Sequence, residues 1–318
     1  MKIVVISPKD KMDYLAETII EGLYANDVEI YASDAGNGIK PNDVYSDFDI
    51  LKHSKTCDFI FVIWGKVIGG YTGPKYYLHD MINLPHKTIY IDGSEWTQTG
   101  HPKHNQVKLA KADQTLRRGM PWINEKMLTS CNWYFKRECY PADVELGIIP
   151  LLFGTLDRNF YNETTDKEYD VFCAFGQLND GLRSEITEVC RKIKSDGYNV
   201  IVDSGMEYDE YKMKLSKSYI SIDSWGGGDC CARLWEIFAN KSCAFSQRYN
   251  IEFPDKFIDG VSFVEFDTIN NFEDKLRYYL YNREKTLAIA EAGYDHMMKY
   301  HTAKYRVEYI FNMIGCPL

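Results

Sequence analysis

Two successive runs of short apolar segments, each segment followed by an amphipathic or polar stretch, constrain the fold of this chain more than any other feature. A short apolar run bounded by turn residues reads as a strand buried on both faces, and a stretch of 3.6-residue periodicity between two such runs reads as the crossover helix that parallel strands require. In the first run the expected strands are residues 3–7, 28–31, 57–64, 87–92, 128–135 and 146–152, with a helix over 14–23. The stretch 154–167 is polar, lacks apolar periodicity and reads as a linker. Beyond it the alternation resumes, with strands expected at 169–175, 199–203, 219–223, 243–246 and 261–266 and helices at 182–195, 208–216 and 230–239. Three helical segments, about 272–281, 284–299 and 303–313, close the chain. The expected fold is α/β, with two Rossmann-like domains facing each other across a cleft: residues 1–155, residues 156–300, and a terminal helix over 301–318 that can pack back on the first. Ligands of open parallel sheets bind outside the carboxyl ends of the strands, so the loops that follow strands are where chemistry is sought.

Composition agrees with two soluble domains. A chain of 318 residues that is 45% hydrophobic can bury two cores. The opening MKIVVISP has neither the length nor the basic flank of a signal peptide, and no stretch approaches the roughly 18 apolar residues of a membrane span. The expected location is the cytoplasm, with no integral membrane association. A formal net charge of -9 repels polyanions in bulk, although a local basic groove can coexist with it. The 24 tyrosines provide surface for stacking on sugars and bases, or simply fill cores. None of the nine cysteines forms a C-x2-C pair, and Cys230 and Cys231, being adjacent, would diverge by about 100° on a helix. They read as reduced core thiols.

The segment YISIDSWGGGDCCARLWEIFANKSCAFSQ, residues 219–247, is the most informative: strand, glycine loop, helix, strand. Gly226, Gly227 and Gly228 allow a sharp turn and close approach of a ligand, and Asp229 is expected to cap the following helix. The free N–H groups and positive end of that helix suit a diphosphate. Arg233 and Glu236, three residues apart, share a helix face. The carboxylate can accept both hydroxyls of a ribose, and the guanidinium can offer a fork to phosphate; an ordinary surface ion pair is the plain alternative.

This segment, GGGDCCARLWEIFANKSCAFS, resembles the group-one glycosyltransferases of the spore-maturation CgeB type, with their strand, glycine loop, R-x-x-E helix, small-residue turn and strand. The resemblance extends to Val171-Phe172-Cys173-Ala174-Phe175-Gly176, to Arg183, to 272–280, AIAEAGYDHMMKYHT and the last helix, and more thinly to WYFKRECY and IIPLLFG. It implies a GT-B fold and transfer of a sugar from a nucleotide-sugar, with UDP as the expected nucleotide, to a hydroxyl acceptor without a metal or other cofactor. The donor would sit in residues 156–300 and the acceptor on the side of 1–155. By the resemblance Gly176 and Arg183 contact the donor diphosphate and Glu236 the ribose. The E-x7-E spacing of such enzymes would place an acid at Gly228, and Asp229 lies one position off.

In the first half, candidates come from position. The loop after the strand at 87–92 holds Asp92, Ser94 and Glu95, then His101 and His104. An inverting transfer needs a general base near the acceptor hydroxyl, and Asp92, then Glu95 and His101, are the candidates. Asp92 as a turn residue capping nearby N–H groups is the alternative, and a retaining transfer can leave the proton to the departing phosphate. The glycine-bearing loop 65–71 can close over an acceptor or be plain surface, and Lys136 and Arg137 can reach a diphosphate or form surface ion pairs. Asp47-Phe48-Asp49 opens a helix and reads as a helix-start acid pair rather than a metal motif. Two further functions stay open. Lys103, Lys108, Lys111, Arg117 and Arg118 could line a groove for a hydroxymethylated base in DNA, as in viral glucosyltransferases, or the chain could be a non-catalytic nucleotide-sugar-binding module. A dinucleotide oxidoreductase is disfavoured, since neither half opens with G-x-G-x-x-G after its first strand.

Overall fold

The computed structural model describes residues 1–8, 13–64, 75–94, 123–163, 166–176, 182–226 and 228–318. The chain forms two compact units: residues 1–154 with 250–254 and 303–318, and residues 155–249 with 255–302.

The first unit carries strands β1 (Lys2–Ile6), β2 (Glu29–Ala32), β3 (Phe59–Trp64), β4 (Thr88–Asp92), β5 (Trp133–Lys136) and β6 (Ile149–Pro150) in the order β2-β1-β3-β4-β5-β6, and every adjacent pair is parallel. Ile3, Val4, Val5 and Ile6 are all fully buried, as expected for a strand covered on both faces. On one face Val4, Ile6, Ile60, Val62 and Tyr90 pack in a cluster with Ile50 of helix α2 (Asp47–His53) and Leu78 of α3 (Tyr76–Ile82). On the other, Phe59 and Phe61 contact Phe311 of the C-terminal helix, Ala303–Met313. That helix also crosses α1 (Tyr14–Ala25) so closely that a Cβ on Gly22 would lie 2.1 Å from the Ala303 carbonyl oxygen. The Asp47-Phe48-Asp49 sequence opens α2 as expected: Ser46 is the N-cap, accepting the Asp49 N–H at 3.2 Å, and Asp47 pairs with Lys75 at 2.8 Å.

Two sequence expectations are corrected here. Residues 128–135 are not one strand; a short helix, α4 (Glu125–Ser130), is followed by β5 starting at Trp133. The Asn124 side chain caps α4 by accepting from Met127 N–H, and the buried Met127 gives that helix an apolar side, so the apolar run spans two elements. The expected strand 146–152 likewise pairs only at Ile149–Pro150. A short helical turn, α5 (Pro141–Val144), joins β5 to β6.

The second unit has strands β7 (Tyr169–Ala174), β8 (Val200–Asp203), β9 (Ser218–Asp223), β10 (Cys243–Gln247) and β11 (Val264–Phe266), all parallel, ordered β11-β10-β9-β7-β8. Helices α6 (Leu182–Ser195), α7 (Tyr208–Ser216), α8 (Arg233–Ala239), α9 (Ile269–Tyr281) and α10 (Arg283–Tyr300) complete it, and Ala303–Met313 is α11. Val171, Cys173, Ile220, Ile222, Cys243 and Phe245 form one core with Ile186, Val189, Cys190 and Ile193 of α6 and Phe272 and Leu276 of α9. The strand order reverses between β7 and β9, so the chain leaves adjacent carboxyl ends in opposite directions and opens a crevice there.

Candidate functional site

The loops after β7 and β9 bring most of the sequence-derived candidates of the second unit to that reversal point. Phe175 and Gly176 follow β7; Ser224, Trp225 and Gly226 follow β9. Arg183, in the first turn of α6, and Arg233, the first residue of α8, both direct their guanidinium groups at the Phe175 ring, with centroid distances of 5.0 and 4.7 Å. Arg183 Nη2 donates to the Ser224 carbonyl at 3.2 Å. Arg233 Nη1 lies 3.5 Å from Asp223 Oδ1 at the end of β9. Asp223 is buried, and its other oxygen accepts from Tyr249 at 2.8 Å and Ser246 at 3.0 Å. Burial pushes its carboxyl pKa up, while Arg233 and the two hydroxyl groups pull it back.

Glu236 stands one turn beyond Arg233. The Tyr208 hydroxyl, from α7, donates to its Oε1 at 3.2 Å and itself accepts from Asn159 Nδ2 at 2.9 Å. Tyr211 stacks beside Tyr208 with ring planes 16° apart. Burial raises the Glu236 pKa above the ordinary glutamate value, opposed by Arg233 and the two tyrosines. The result is a carboxyl group held from one side by tyrosine and standing one helical turn from the Arg233 guanidinium.

The glycines differ in purpose. Gly176 has nothing within 4 Å of where a Cβ would stand, so the turn after β7 is open. At Gly226 a Cβ would meet Cys231 Sγ at 2.7 Å and Arg183 Nη2 at 3.1 Å, so glycine is needed for close packing. Gly228 is buried, and Gly227 lies outside the described residues.

The expected cap is corrected. Helix α8 begins at Arg233 with Ala232 as an N-cap that makes no side-chain bond, and Asp229, 1% exposed, lies before it. The glycine-rich chain continues in turns, closed by Gly226 N–H to Gly228 O at 3.0 Å, and takes Asp229 and Cys230 into the interior before any helix forms. With its expected cap displaced and only seven residues, α8 offers a weaker anion terminus than expected; the arginines are the strong positive groups.

In the first unit Asp92 stands at the strand end as expected and caps a nearby backbone N–H. It is wholly buried at the end of β4, accepts from Tyr134 at 2.5 Å and from Ser94 N–H at 2.8 Å, and pairs with Lys136 at 3.2 Å. Lys136 is equally buried and donates to Ser94 Oγ at 2.7 Å, and Arg137 lies buried over Phe153 at 4.8 Å. Neither cation is on the surface, because each is drawn inward by a partner. Glu95, His101, His104, the loop 65–71 and the basic residues Lys103, Lys108, Lys111, Arg117 and Arg118 lie outside the described residues. Among the described residues, no grouping of three His, Cys, Asp or Glu suits a metal ion, and no helix is long and apolar enough to cross a membrane.

Sequence reasoning missed Phe175, Tyr208, Tyr211, Asp223 and Trp225. The available signals were an aromatic just after β7, a tyrosine pair at i, i+3 after β8, and a carboxylate ending β9.

Residues 195–312 match the model of a family described as glycosyl transferase-like. Among curated proteins, no sequence matches the chain. Among solved structures, an alpha-glucosyltransferase in complex with UDP-glucose and DNA containing an abasic site is similar, with a TM-score of 0.61, 10% identity, and coverage of 99% of this chain and 98% of that one. Anabaena Alr3699/HepE in complex with UDP-glucose gives a TM-score of 0.58, 10% identity and 99% coverage of each chain. Sucrose-phosphate synthase from Thermosynechococcus elongatus gives 0.59, 9% identity, and coverage of 99% and 98%. Two parallel-sheet units with a chain-long match to these structures identify the architecture: the chain has the GT-B glycosyltransferase fold, built of two Rossmann-like domains.

Proposed function

We propose that the protein is a glycosyltransferase of the CgeB-like group that moves a sugar from a nucleotide-sugar, UDP-linked, to a hydroxyl acceptor without a metal ion. The observation that carries the reading is the pair of guanidinium groups over Phe175 at the strand reversal, with Glu236 one helical turn away. The family match over 195–312 supports it, because that interval contains Arg233 and Glu236.

In the reaction an acceptor oxygen attacks the anomeric carbon, and the bond from that carbon to the diphosphate breaks with its electron pair left on the phosphate oxygen. Arg183 and Arg233 supply positive charge where that negative charge develops, as preorganised donors do in a water-poor site. Glu236, steadied by Tyr208, accepts the ribose hydroxyls and fixes the nucleotide. The acceptor proton goes to a base of the acceptor side in an inverting reaction, or to the departing phosphate in a retaining one.

The test is turnover of UDP-sugars by the purified chain, with and without chelator, following UDP release and identifying the sugar product. UDP release that survives chelation supports the reading. Release that requires an added divalent cation contradicts metal independence, and a sugar-nucleotide that binds but is never consumed means a non-catalytic module.

A further inference from the structure

We infer that Asp223 holds a proton, and that this neutral acid orients Arg233 without neutralising it, so that the guanidinium charge is left for an anion. The inference rests on the nucleotide-sugar reading above for the identity of that anion, and it adds a positioning residue that touches no ligand.

Three oxygens meet where β9 and β10 end. Asp223 and Ser246 are partners in the parallel register of the two strands, and Tyr249 follows β10. Asp223 Oδ2 lies 2.8 Å from the Tyr249 hydroxyl and 3.0 Å from Ser246 Oγ, and the two hydroxyls lie 2.5 Å from each other. All three edges of this triangle are at hydrogen-bond length, so filling them takes three hydrogens. The serine and tyrosine hydroxyls supply one each, and an ionised carboxylate supplies none, which leaves one edge as a contact between bare lone pairs. A protonated Asp223 supplies the third hydrogen. The ring then runs one way, with each oxygen donating once and accepting once.

The other carboxyl oxygen agrees with this count. An ionised pair of a buried carboxylate and a guanidinium closes to about 2.7–2.9 Å. Arg233 Nη1 instead stays 3.5 Å from Asp223 Oδ1, and its guanidinium lies over the Phe175 ring at 4.7 Å. The charged and titratable groups that face Asp223 are Arg233 of α8, Arg183 of α6, Tyr211 of α7 and Tyr249. Burial is the largest influence on the carboxyl and favours its neutral form, with the two arginines opposing. A neutral acid at this place still offers Oδ1 to Arg233, which sets the direction of the side chain. It adds no negative charge to compete with a diphosphate.

The experiment uses Asp223→Asn, which copies the protonated acid by turning its amide oxygen to Arg233 and its N–H groups to the two hydroxyls. The infrared spectrum of wild type minus that of Asp223→Asn, at about pH 7, is expected to show the C=O stretch of a carboxylic acid. A carboxylate signature in its place would overturn the inference. Calorimetric titration with UDP is expected to give Asp223→Asn an affinity within about twofold of wild type, and Asp223→Ala one roughly 3- to 10-fold weaker, the worth of a hydrogen bond. An asparagine variant outside that range in either direction, or an alanine variant equal to wild type, would also overturn it. The infrared band and the asparagine variant decide the matter even if the alanine variant does not fold. Failure of wild type to bind UDP would remove the nucleotide-sugar reading, while the band would still report whether Asp223 carries its proton.

Discussion

Arg183 and Arg233 bring their guanidinium groups to one aromatic ring, 5.0 and 4.7 Å from the centroid of Phe175. The 3.5 Å approach of Asp223 to Arg233 is longer than a strong charge-assisted bond, so that guanidinium keeps the capacity to take up an anion. Arg183→Gln keeps a donor for the Ser224 carbonyl but removes the charge. The expected outcome is a loss of UDP affinity of roughly 10- to 100-fold, the worth of a hydrogen bond to a charged group, with an unchanged circular dichroism spectrum. UDP affinity equal to wild type in a folded Arg183→Gln protein contradicts the role given to the pair.

Glu236 carries a stability cost that binding uses. Its folded-state pKa is raised by burial, so its contribution to stability is fully present below the ordinary value of 4.5 and is lost as pH rises through the raised one. Glu236→Gln is therefore expected to gain on wild type in denaturant midpoint as pH climbs from about 4 to about 8, while binding nucleotide more weakly. A wild type that remains the more stable protein at the upper end would show that the tyrosine and arginine contacts outweigh burial.

Gly226 allows Cys231 and Arg183 to approach the loop after β9. A methyl group there must displace the Cys231 sulfur, and it pushes the Arg183 guanidinium, which is the softer neighbour. Gly226→Ala is expected to weaken UDP binding at least as much as Arg183→Gln, with a stability loss of about 1–3 kcal/mol by denaturation. Undiminished binding would mean that Arg183 does not touch the ligand.

Asp92 and Lys136 form a wholly buried pair. Lys136→Met leaves Asp92 in the interior without its counter-ion, held only by Tyr134 and the Ser94 N–H, and is expected to cost about 3–5 kcal/mol. The double change with Asp92→Asn recovers much of that loss, since the stranded charge is gone. Turnover per folded molecule in the double variant is expected to stay near wild type; a drop of several orders of magnitude would return Asp92 to the role of general base.

The α/β alternation was legible because a strand buried on both faces, such as Ile3–Ile6, leaves an uninterrupted apolar signature. Arg233 and Glu236 were legible as a motif, since i, i+3 spacing on a helix places side chains together by geometry alone, whereas Arg183 was legible only through the resemblance to a known family. The start of α8 was not, because glycine loops and helix starts share the same residue types, and burial of Asp229 and Cys230 is a tertiary effect. The apolar run at 128–135 failed for a related reason: a helix with one apolar side running into a buried strand looks like a single strand. Phe175 and Asp223 could not be read as partners of the arginines, because only the reversal of strand order brings β7 and β9 side by side. Asp92 and Lys136, from neighbouring strands, are a register contact that no local pattern encodes.

The most direct test is a crystal structure of the protein with UDP, grown in the presence of chelator. The account predicts diphosphate oxygens within about 2.7–3.2 Å of guanidinium nitrogens of both Arg183 and Arg233, with the ribose hydroxyls on Glu236. A diphosphate seated elsewhere, with those arginines still turned to Phe175 and Ser224 and no contact to the ligand, would contradict it.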